Sequence, residues 1–123
     1  MRLKAILKFY FKPEEAETRL NRLICHRAYS LNSSRGAYDC AVAVAELLHK
    51  KGELCVLWGF LNGAAEKFSD GELETLKEYA FAPRRRGSEG REMHRLAVAF
   101  ARRIRGGTER FAESFRVMEE LGL

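Results

Sequence analysis

Residues 53–68 read ELCVLWGFLNGAAEKF and carry the widest apolar arc in the chain. At about 100° per residue, the helical period spreads their apolar side chains over most of a helix surface. Only a narrow strip remains polar or small, and it consists of Cys55, Gly59, Asn62 and Glu66. A helix that is apolar on so many sides is typical of a central element contacted by several others. We therefore predict that residues 53–68 form the central helix of the fold.

Two helices are predicted before this stretch. Pro13 suits the first turn of a helix, which continues until the polar connection at residues 32–36. A second helix spans residues 37–51, with Gly52 as its stop signal. The inner side of the first helix holds Ala16, Leu20, Leu23, Ile24 and Leu31, and that of the second holds Cys40, Ala41, Val44, Leu47 and Leu48.

Arg27 falls among the inner positions of the first helix. Two interpretations remain open for this side chain. It either extends along the rim of the core to reach water or lies buried against Asp39 or Glu46.

Three helices are predicted after the central one. Ser69 and Glu72 have the spacing of a capping box, and the helix that they begin ends before Pro83. Residues 91–105, REMHRLAVAFARRIR, form the next helix and end at the glycine pair 106–107. A last helix is capped by Thr108, and its inner side holds Phe111, Phe115, Met118 and Leu121.

Residues 2–12 fit two kinds of element. As a strand, they alternate apolar residues with mostly basic ones; as a helix, they place Leu3, Ile6, Leu7 and Tyr10 on one stripe. A lone strand has no partner in an otherwise helical chain. We therefore favour a helix, unless a dimer pairs two such strands.

Length and composition agree with one folded domain. The chain has 123 residues, of which 46% are hydrophobic and 32% charged, as expected for a globular protein whose helices carry long polar side chains outside. We predict an all-α, single-domain bundle of five or six helices that spans residues 1–123.

Charge is unevenly distributed along the chain. The net charge is +5; residues 1–30 and 83–123 are basic, whereas residues 31–82 are acidic. Clustered arginines attract phosphates through an electrostatic interaction that depends on salt more than on sequence. The alternative is that the basic ends and the acidic middle pair with each other, within the fold or between subunits.

The helix over residues 91–105 sorts almost completely into an apolar and a basic side. Met93, Leu96, Phe100 and Ile104 share one side, and arginines share the other. A guanidinium fork suits bidentate contact with a phosphate or with a guanine edge. The predicted nucleic-acid-binding residues are Arg84, Arg85, Arg86, Arg91, Arg95, Arg102 and Arg105.

No catalytic, cofactor or metal motif is recognisable. The cysteines, Cys25, Cys40 and Cys55, form no C-x-x-C pair, and we interpret them as reduced thiols that mostly fill the core. The three histidines are too scattered for a metal site, although His94 lies on the basic side and is placed to contact phosphate. We expect no enzyme activity, no cofactor, no metal and no membrane span, and a cytoplasmic location.

Residues 68–81, FSDGELETLKEYAF, resemble the opening helix of the sigma-factor region 4 class of helix-turn-helix domains. In that class a capped Leu, Leu, Tyr pattern precedes the helices that read DNA. The stretch is also similar to small sigma-like regulators from phages and Firmicutes. It covers 14 of 123 residues, and one long basic helix follows it in place of a short helix, a tight turn and a recognition helix. The resemblance implies a helical, transcription-associated protein that contacts DNA.

These observations predict a non-catalytic nucleic-acid-binding protein that contacts phosphates through its basic helix. The alternative is a helical protein-interaction module or homo-oligomer that binds no nucleic acid. A salt-sensitive dimer would indicate the alternative, and salt-dependent binding of nucleic acid would indicate the first.

Overall fold

The computed structural model describes residues 3–29, 36–82, 88–107 and 109–122, and within these residues every regular element is helical. In these described ranges, six α-helices form the all-α fold that the sequence predicts, and a short 3₁₀ turn follows the fifth helix. The elements are α1 (Leu3–Phe11), α2 (Pro13–Tyr29), α3 (Ala37–Ala65), α4 (Asp70–Phe81), α5 (Ser88–Ile104), the 3₁₀ turn (Arg105–Gly107) and α6 (Ala112–Glu120).

Several predicted helix boundaries are confirmed. Pro13 is the first residue of α2. Ser69 caps α4 as half of a capping box: the Glu72 backbone N–H donates to Ser69 Oγ at 3.2 Å, and the Ser69 backbone N–H donates to Glu72 Oε1 at 3.0 Å. These bonds satisfy donors that the first turn of a helix leaves unpaired. The ambiguous first element is a helix, α1.

The predicted stop at Gly52 is wrong, because α3 runs without a break from Ala37 to Ala65. A glycine inside a helix costs about 1 kcal/mol relative to alanine. The leucines that follow it, Leu54, Leu57 and Leu61, are buried in the core, and their burial exceeds that cost. The predicted central helix is therefore the second half of α3, and it ends at Ala65, before the predicted end at residue 68.

One core unites the six helices. α3 packs against α1, α2, α5 and α6, while α4 packs against α1 and α5. The central position of residues 53–65 is thus confirmed. The fully enclosed side chains include Leu7, Leu20, Leu57, Leu61, Leu76, Leu96, Phe100, Val117 and Met118.

Three side chains join α1 to α3. The indole N–H of Trp58 donates to the Tyr10 backbone carbonyl at 2.9 Å, and the Tyr10 hydroxyl donates to Asn62 Oδ1 at 2.9 Å. The two rings are stacked, with centroids 5.6 Å apart. Tyr10 lies in the last turn of α1, where the helix leaves carbonyl groups unpaired. Trp58 supplies the donor that this turn lacks.

The first half of α3 and the second half of α2 contribute little to the core. Among the described side chains of residues 21–29 and 36–53, which we call the two-helix arm, Cys40 alone is buried. Leu23, Ala41 and Leu48, predicted to face inward, are exposed, and so is Val56 beyond the arm. Leu31 lies outside the described residues.

The structure also tests the predictions for Arg27 and for the three cysteines. Arg27 is exposed, as its rim interpretation requires. Cys40 is buried, but Cys25 and Cys55 are exposed. The interpretation of the thiols as mostly core-filling is therefore wrong for two of the three. Both exposed thiols lie on the solvent-facing sides of their helices, where the exposure of a small apolar side chain costs little free energy.

The end of α6 is fixed to α2. Arg19 Nη1 donates to the Leu121 backbone carbonyl at 2.5 Å, and Arg19 Nη2 donates to Glu15 at 2.8 Å. The predicted cap of this helix, Thr108, lies outside the described residues, and α6 begins later than predicted, at Ala112. Phe111, Phe115 and Met118 are buried as predicted.

Candidate nucleic-acid interface

The apolar side of α5 fixes the orientation of its basic side. Met93, Leu96, Phe100 and Ile104 are buried, as predicted, and Ala97 is buried beside them. This side packs against α3 and α4. Because it is enclosed over about three turns, α5 cannot rotate about its axis without exposing the core. The opposite side is therefore held toward solvent.

The arginines predicted from this helix lie on that solvent side. Arg91, Arg95 and Arg102 are exposed on α5, and Arg105 is exposed in the 3₁₀ turn that follows. At about 1.5 Å per residue they form two pairs, Arg91 with Arg95 and Arg102 with Arg105. About 10 Å of helix, with Val98 and Ala101 on the same side, separates the pairs. Arg84, Arg85 and Arg86 lie outside the described residues.

Arg95 is held by a carboxylate of its own helix. Its Nε and Nη2 donate to the two carboxylate oxygens of Glu92 at 3.0 and 2.6 Å. This hydrogen bonding lowers the pKa of Glu92 and raises the pKa of Arg95. The side chain of Arg95 is 62% exposed, and that of Glu92 is 50% exposed. An exposed pair of this kind is weak enough for a phosphate to displace the carboxylate.

Arg91 and Arg102 have no hydrogen-bond or ion-pair partner among the described residues. Arg105 is exposed but does have a partner. Two guanidinium groups of the basic side are thus available without rearrangement. Among the described arginines of this side, Arg95 is paired with a carboxylate, and the helix that carries the side is continuous from Ser88 to Ile104.

A shallow groove of about 430 Å³ borders the basic side. Its apolar lining comes from α1, α4 and α5, whereas His94, Arg102 and Arg105 line it as cationic or polar groups. The apolar members are Leu3, Ile6, Tyr79, Ala97, Val98, Ala101 and Ile104. An extended anion that contacts the arginines would find an apolar surface directly beside them.

One basic residue near this surface, Lys4, was missed by the sequence reasoning. Lys4 Nζ lies 5.1 Å from the centre of the Tyr79 ring, which lines the groove. Arg103 lies over the Phe68 ring at 5.6 Å. Lys4 belongs to α1, and only the packing of α1 on α4 brings it to the groove. Arg103 is about 100° from Arg102 around the helix, off the predicted basic side.

The described histidines lie apart from one another. His94 is exposed at the groove, as its proposed phosphate contact requires. His49 lies 3.6 Å from Glu53, one helical turn away, on the arm. In the described part of the chain, no three His, Cys, Asp or Glu side chains are close enough to hold a metal ion. No helix there is long and apolar enough to cross a membrane.

No protein-family model, curated protein or solved structure matches the chain.

Proposed function

We propose that this protein binds duplex DNA without catalysis and contacts its phosphates through α5. The observation that carries the proposal is the exposed, continuous basic side of a helix whose opposite side is fully buried. Arg91 and Arg102, which lack partners among the described residues, supply charge that no carboxylate has neutralised. The basic ends of the chain add to the attraction of a polyanion.

The two arginine pairs suit a duplex better than a single strand. The gap between them, about 10 Å, is close to the width of the major groove of B-DNA, about 12 Å. With one pair on each side of that groove, Val98 and Ala101 face the base edges, where small apolar side chains are compatible with thymine methyl groups. The narrow major groove of duplex RNA does not admit a helix in this way.

The resemblance of residues 68–81 to the opening helix of sigma-factor region 4 supports a role in transcription. α4 has the capped start on which that resemblance depends. The basic helix that follows α4 takes the place of the DNA-reading helices. We propose a small transcription-associated regulator, with contact to the phosphate backbone as its main source of affinity.

The test is a salt series of binding to labelled random duplex DNA. The logarithm of affinity falls with the logarithm of salt concentration by about 0.9 per neutralised phosphate. Four contacts, from Arg91, Arg95, Arg102 and Arg105, give a slope of about −3.6. A slope near zero, or binding of duplex RNA as tight as that of duplex DNA, would contradict the proposal.

A matched pair of variants separates the basic side from general charge. The Arg95→Glu, Arg102→Glu protein should lose about 1.8 units of slope and most of its affinity. The control is Arg22→Glu, Arg116→Glu, which changes net charge equally. Arg116 is bound to Glu113 three residues before it, as Arg95 is to Glu92, and Arg22 is exposed without a partner among the described residues. Equal losses in both proteins would show that α5 is not the contact surface.

A further inference from the structure

A cavity of about 450 Å³ lies between α1, α2 and the end of α4. We call it the α1–α2 cavity. None of its described lining residues belongs to α5, so it is separate from the surface proposed to contact DNA. Its volume is within the range of pockets that bind small molecules, about 300–1,000 Å³.

Positive charge outweighs negative charge in the described lining of this cavity. Lys8, Lys12 and Arg19 line it together with one carboxylate, that of Glu15. Lys8 and Lys12 are one helical turn apart, about 6 Å along the axis. The Lys12 backbone N–H donates to the Lys8 carbonyl at 2.9 Å, which continues the helical pattern of α1 and places both side chains on one face.

The carboxylate in this lining is already paired with the arginine. Arg19 Nη2 donates to Glu15 Oε1 at 2.8 Å, while Arg19 Nη1 donates to the Leu121 carbonyl. Lys8 has no hydrogen-bond or ion-pair partner among the described residues. The Lys12 ammonium has an aromatic ring as its partner, with Nζ 4.8 Å from the centre of Phe81. Two ammonium groups at the cavity are therefore not neutralised by the carboxylate that lines it.

An apolar surface lies directly beside these two lysines. Phe9 and Ala16, which are buried, line the cavity, and so does Ala5, which is half-buried. The small side chains of the two alanines leave space that larger ones would fill. Phe81 also lines the cavity and is 39% exposed. A ligand with one anionic end and one apolar end would find a complementary surface for each.

We propose that the α1–α2 cavity binds a small organic phosphate, with its phosphate group on Lys8 and Lys12 and its apolar part against Phe81 and Ala5. A phosphomonoester carries a charge of about −1.5 to −2 at neutral pH, which matches two ammonium groups. A carboxylate neutralises only one of them. Inorganic phosphate matches both lysines but leaves the apolar lining uncovered.

Isothermal titration calorimetry with phenyl phosphate, at low ionic strength and without phosphate in the buffer, tests the site. The natural chain should bind one molecule per chain, and more tightly than it binds inorganic phosphate or benzoate, because each of those probes lacks one half of the matching chemistry. The proposal is overturned if phenyl phosphate does not bind at millimolar concentration, or if either of the other probes binds as tightly.

A matched pair of double variants tests the two lysines. Lys8→Gln, Lys12→Gln should weaken the binding of phenyl phosphate at least about tenfold, because contacts with a charged group are lost. The control is Lys4→Gln, Lys67→Gln, which removes the same charge at two exposed positions outside the described lining. It should bind like the natural chain. Equal losses in the two proteins would show that binding follows net charge and would overturn the site.

A third variant tests the cavity itself. Ala5→Leu keeps every charge and places a larger side chain in the lining, so it should weaken the binding of phenyl phosphate more than that of inorganic phosphate. Circular dichroism melting shows whether this variant is folded. Unchanged binding of phenyl phosphate by the folded variant would place the ligand outside the cavity and overturn the proposal. The lysine variants change only exposed side chains and do not depend on the folding of Ala5→Leu.

Competition with duplex DNA separates this site from the proposed DNA contact surface. Phenyl phosphate should displace no more labelled duplex DNA than sodium benzoate does at equal ionic strength, because the two sites share no described residue. Greater displacement would assign Lys8 and Lys12 to the DNA contact and overturn a separate small-ligand site. A failure of DNA binding would leave the calorimetry unaffected, since that experiment contains no DNA.

Discussion

At the scale of single residues, the Phe60 ring leaves no room for a side chain at Gly107. A Cβ built on Gly107 would collide with Phe60 Cζ, and the Phe60 ring is itself packed against Phe111 at 4.8 Å between centroids. The ring therefore has little room to move. Gly107 is the position at which the 3₁₀ turn after α5 touches the core.

We predict that Gly107→Ala lowers the free energy of unfolding by about 1–3 kcal/mol, because it overpacks this contact. Gly106→Ala is the matched control, since a Cβ there would meet nothing within 4 Å. Urea denaturation of the two variants measures the difference. A Gly107→Ala protein as stable as the Gly106→Ala protein would mean that Phe60 moves aside without cost.

Tyr10 links stability to pH. Its burial, and then the negative charge of Glu66, raise the pKa of its hydroxyl above the ordinary value. The unfolded chain then ionises first as pH rises. The stability that the neutral hydroxyl contributes is therefore complete below about pH 10, the ordinary pKa of tyrosine, and is lost as pH rises through the raised pKa of the folded state.

We predict that the free energy of unfolding of the natural chain decreases above about pH 10, and that Tyr10→Phe decreases less steeply. Glu66→Gln should give an intermediate slope, because it removes the second cause and leaves burial. Urea titrations at a series of pH values measure the slopes. Identical slopes for the natural chain and Tyr10→Phe would be incompatible with a raised pKa at this residue.

At the scale of elements, α5 itself carries a carboxylate that competes with phosphate for Arg95. Glu92 accepts both hydrogen bonds of Arg95 and adds a negative charge to the basic side. We predict that Glu92→Gln binds duplex DNA more tightly and steepens the salt slope by up to about one unit, because Arg95 becomes fully available.

Glu113→Gln is the control for this change. Glu113 holds Arg116 on α6 with the same spacing of three residues, but it lies away from the proposed contact surface. Fluorescence anisotropy of labelled duplex DNA compares the two proteins. Equal gains in affinity would show that Glu92 acts on DNA binding only through the net charge of the protein.

Helical periodicity was sufficient to predict the type of each element after residue 12, but not the type of residues 2–12 or the continuity of α3. Gly52 has the character of a stop signal when only neighbouring residues are considered. Leu47, which is half-buried, and Leu54, which is buried, remain in phase across it, and their packing keeps the helix intact. Leu48 and Val56 were predicted to face the core for the same reason. The sequence of a helix that is apolar on all sides does not show which side packs against other helices.

The sequence predicted the part of the candidate site that lies on α5. The buried and exposed sides of α5 follow from its strong amphipathic period, and both agree with the structure. Lys4 and Tyr79 could not be assigned to this surface, because they come from two other helices and meet α5 only in the folded chain. The pairing of Arg95 with Glu92 has a readable signal, their spacing of three residues.

At the scale of the whole molecule, the core and the two-helix arm differ in the density of buried side chains. Local opening is easiest where few apolar side chains are buried. We predict that amides in residues 21–29 and 38–50 exchange hydrogen faster than those in residues 54–65 and 93–104. Hydrogen exchange with mass spectrometry measures this.

The measurement is made at low protein concentration. Uniform protection across arm and core in the dilute protein would contradict the difference in packing.

The place of α6 in the core has a consequence for biosynthesis. Leu54, Leu57 and Leu61 share one core with Phe115, Val117 and Met118. The latter three leave the ribosome more than fifty residues later. While translation proceeds between them, the nascent leucines have no permanent cover, and such surfaces attract chaperones and aggregate. Codon changes that slow elongation between these two groups should therefore lower the yield of native protein without altering a single amino acid.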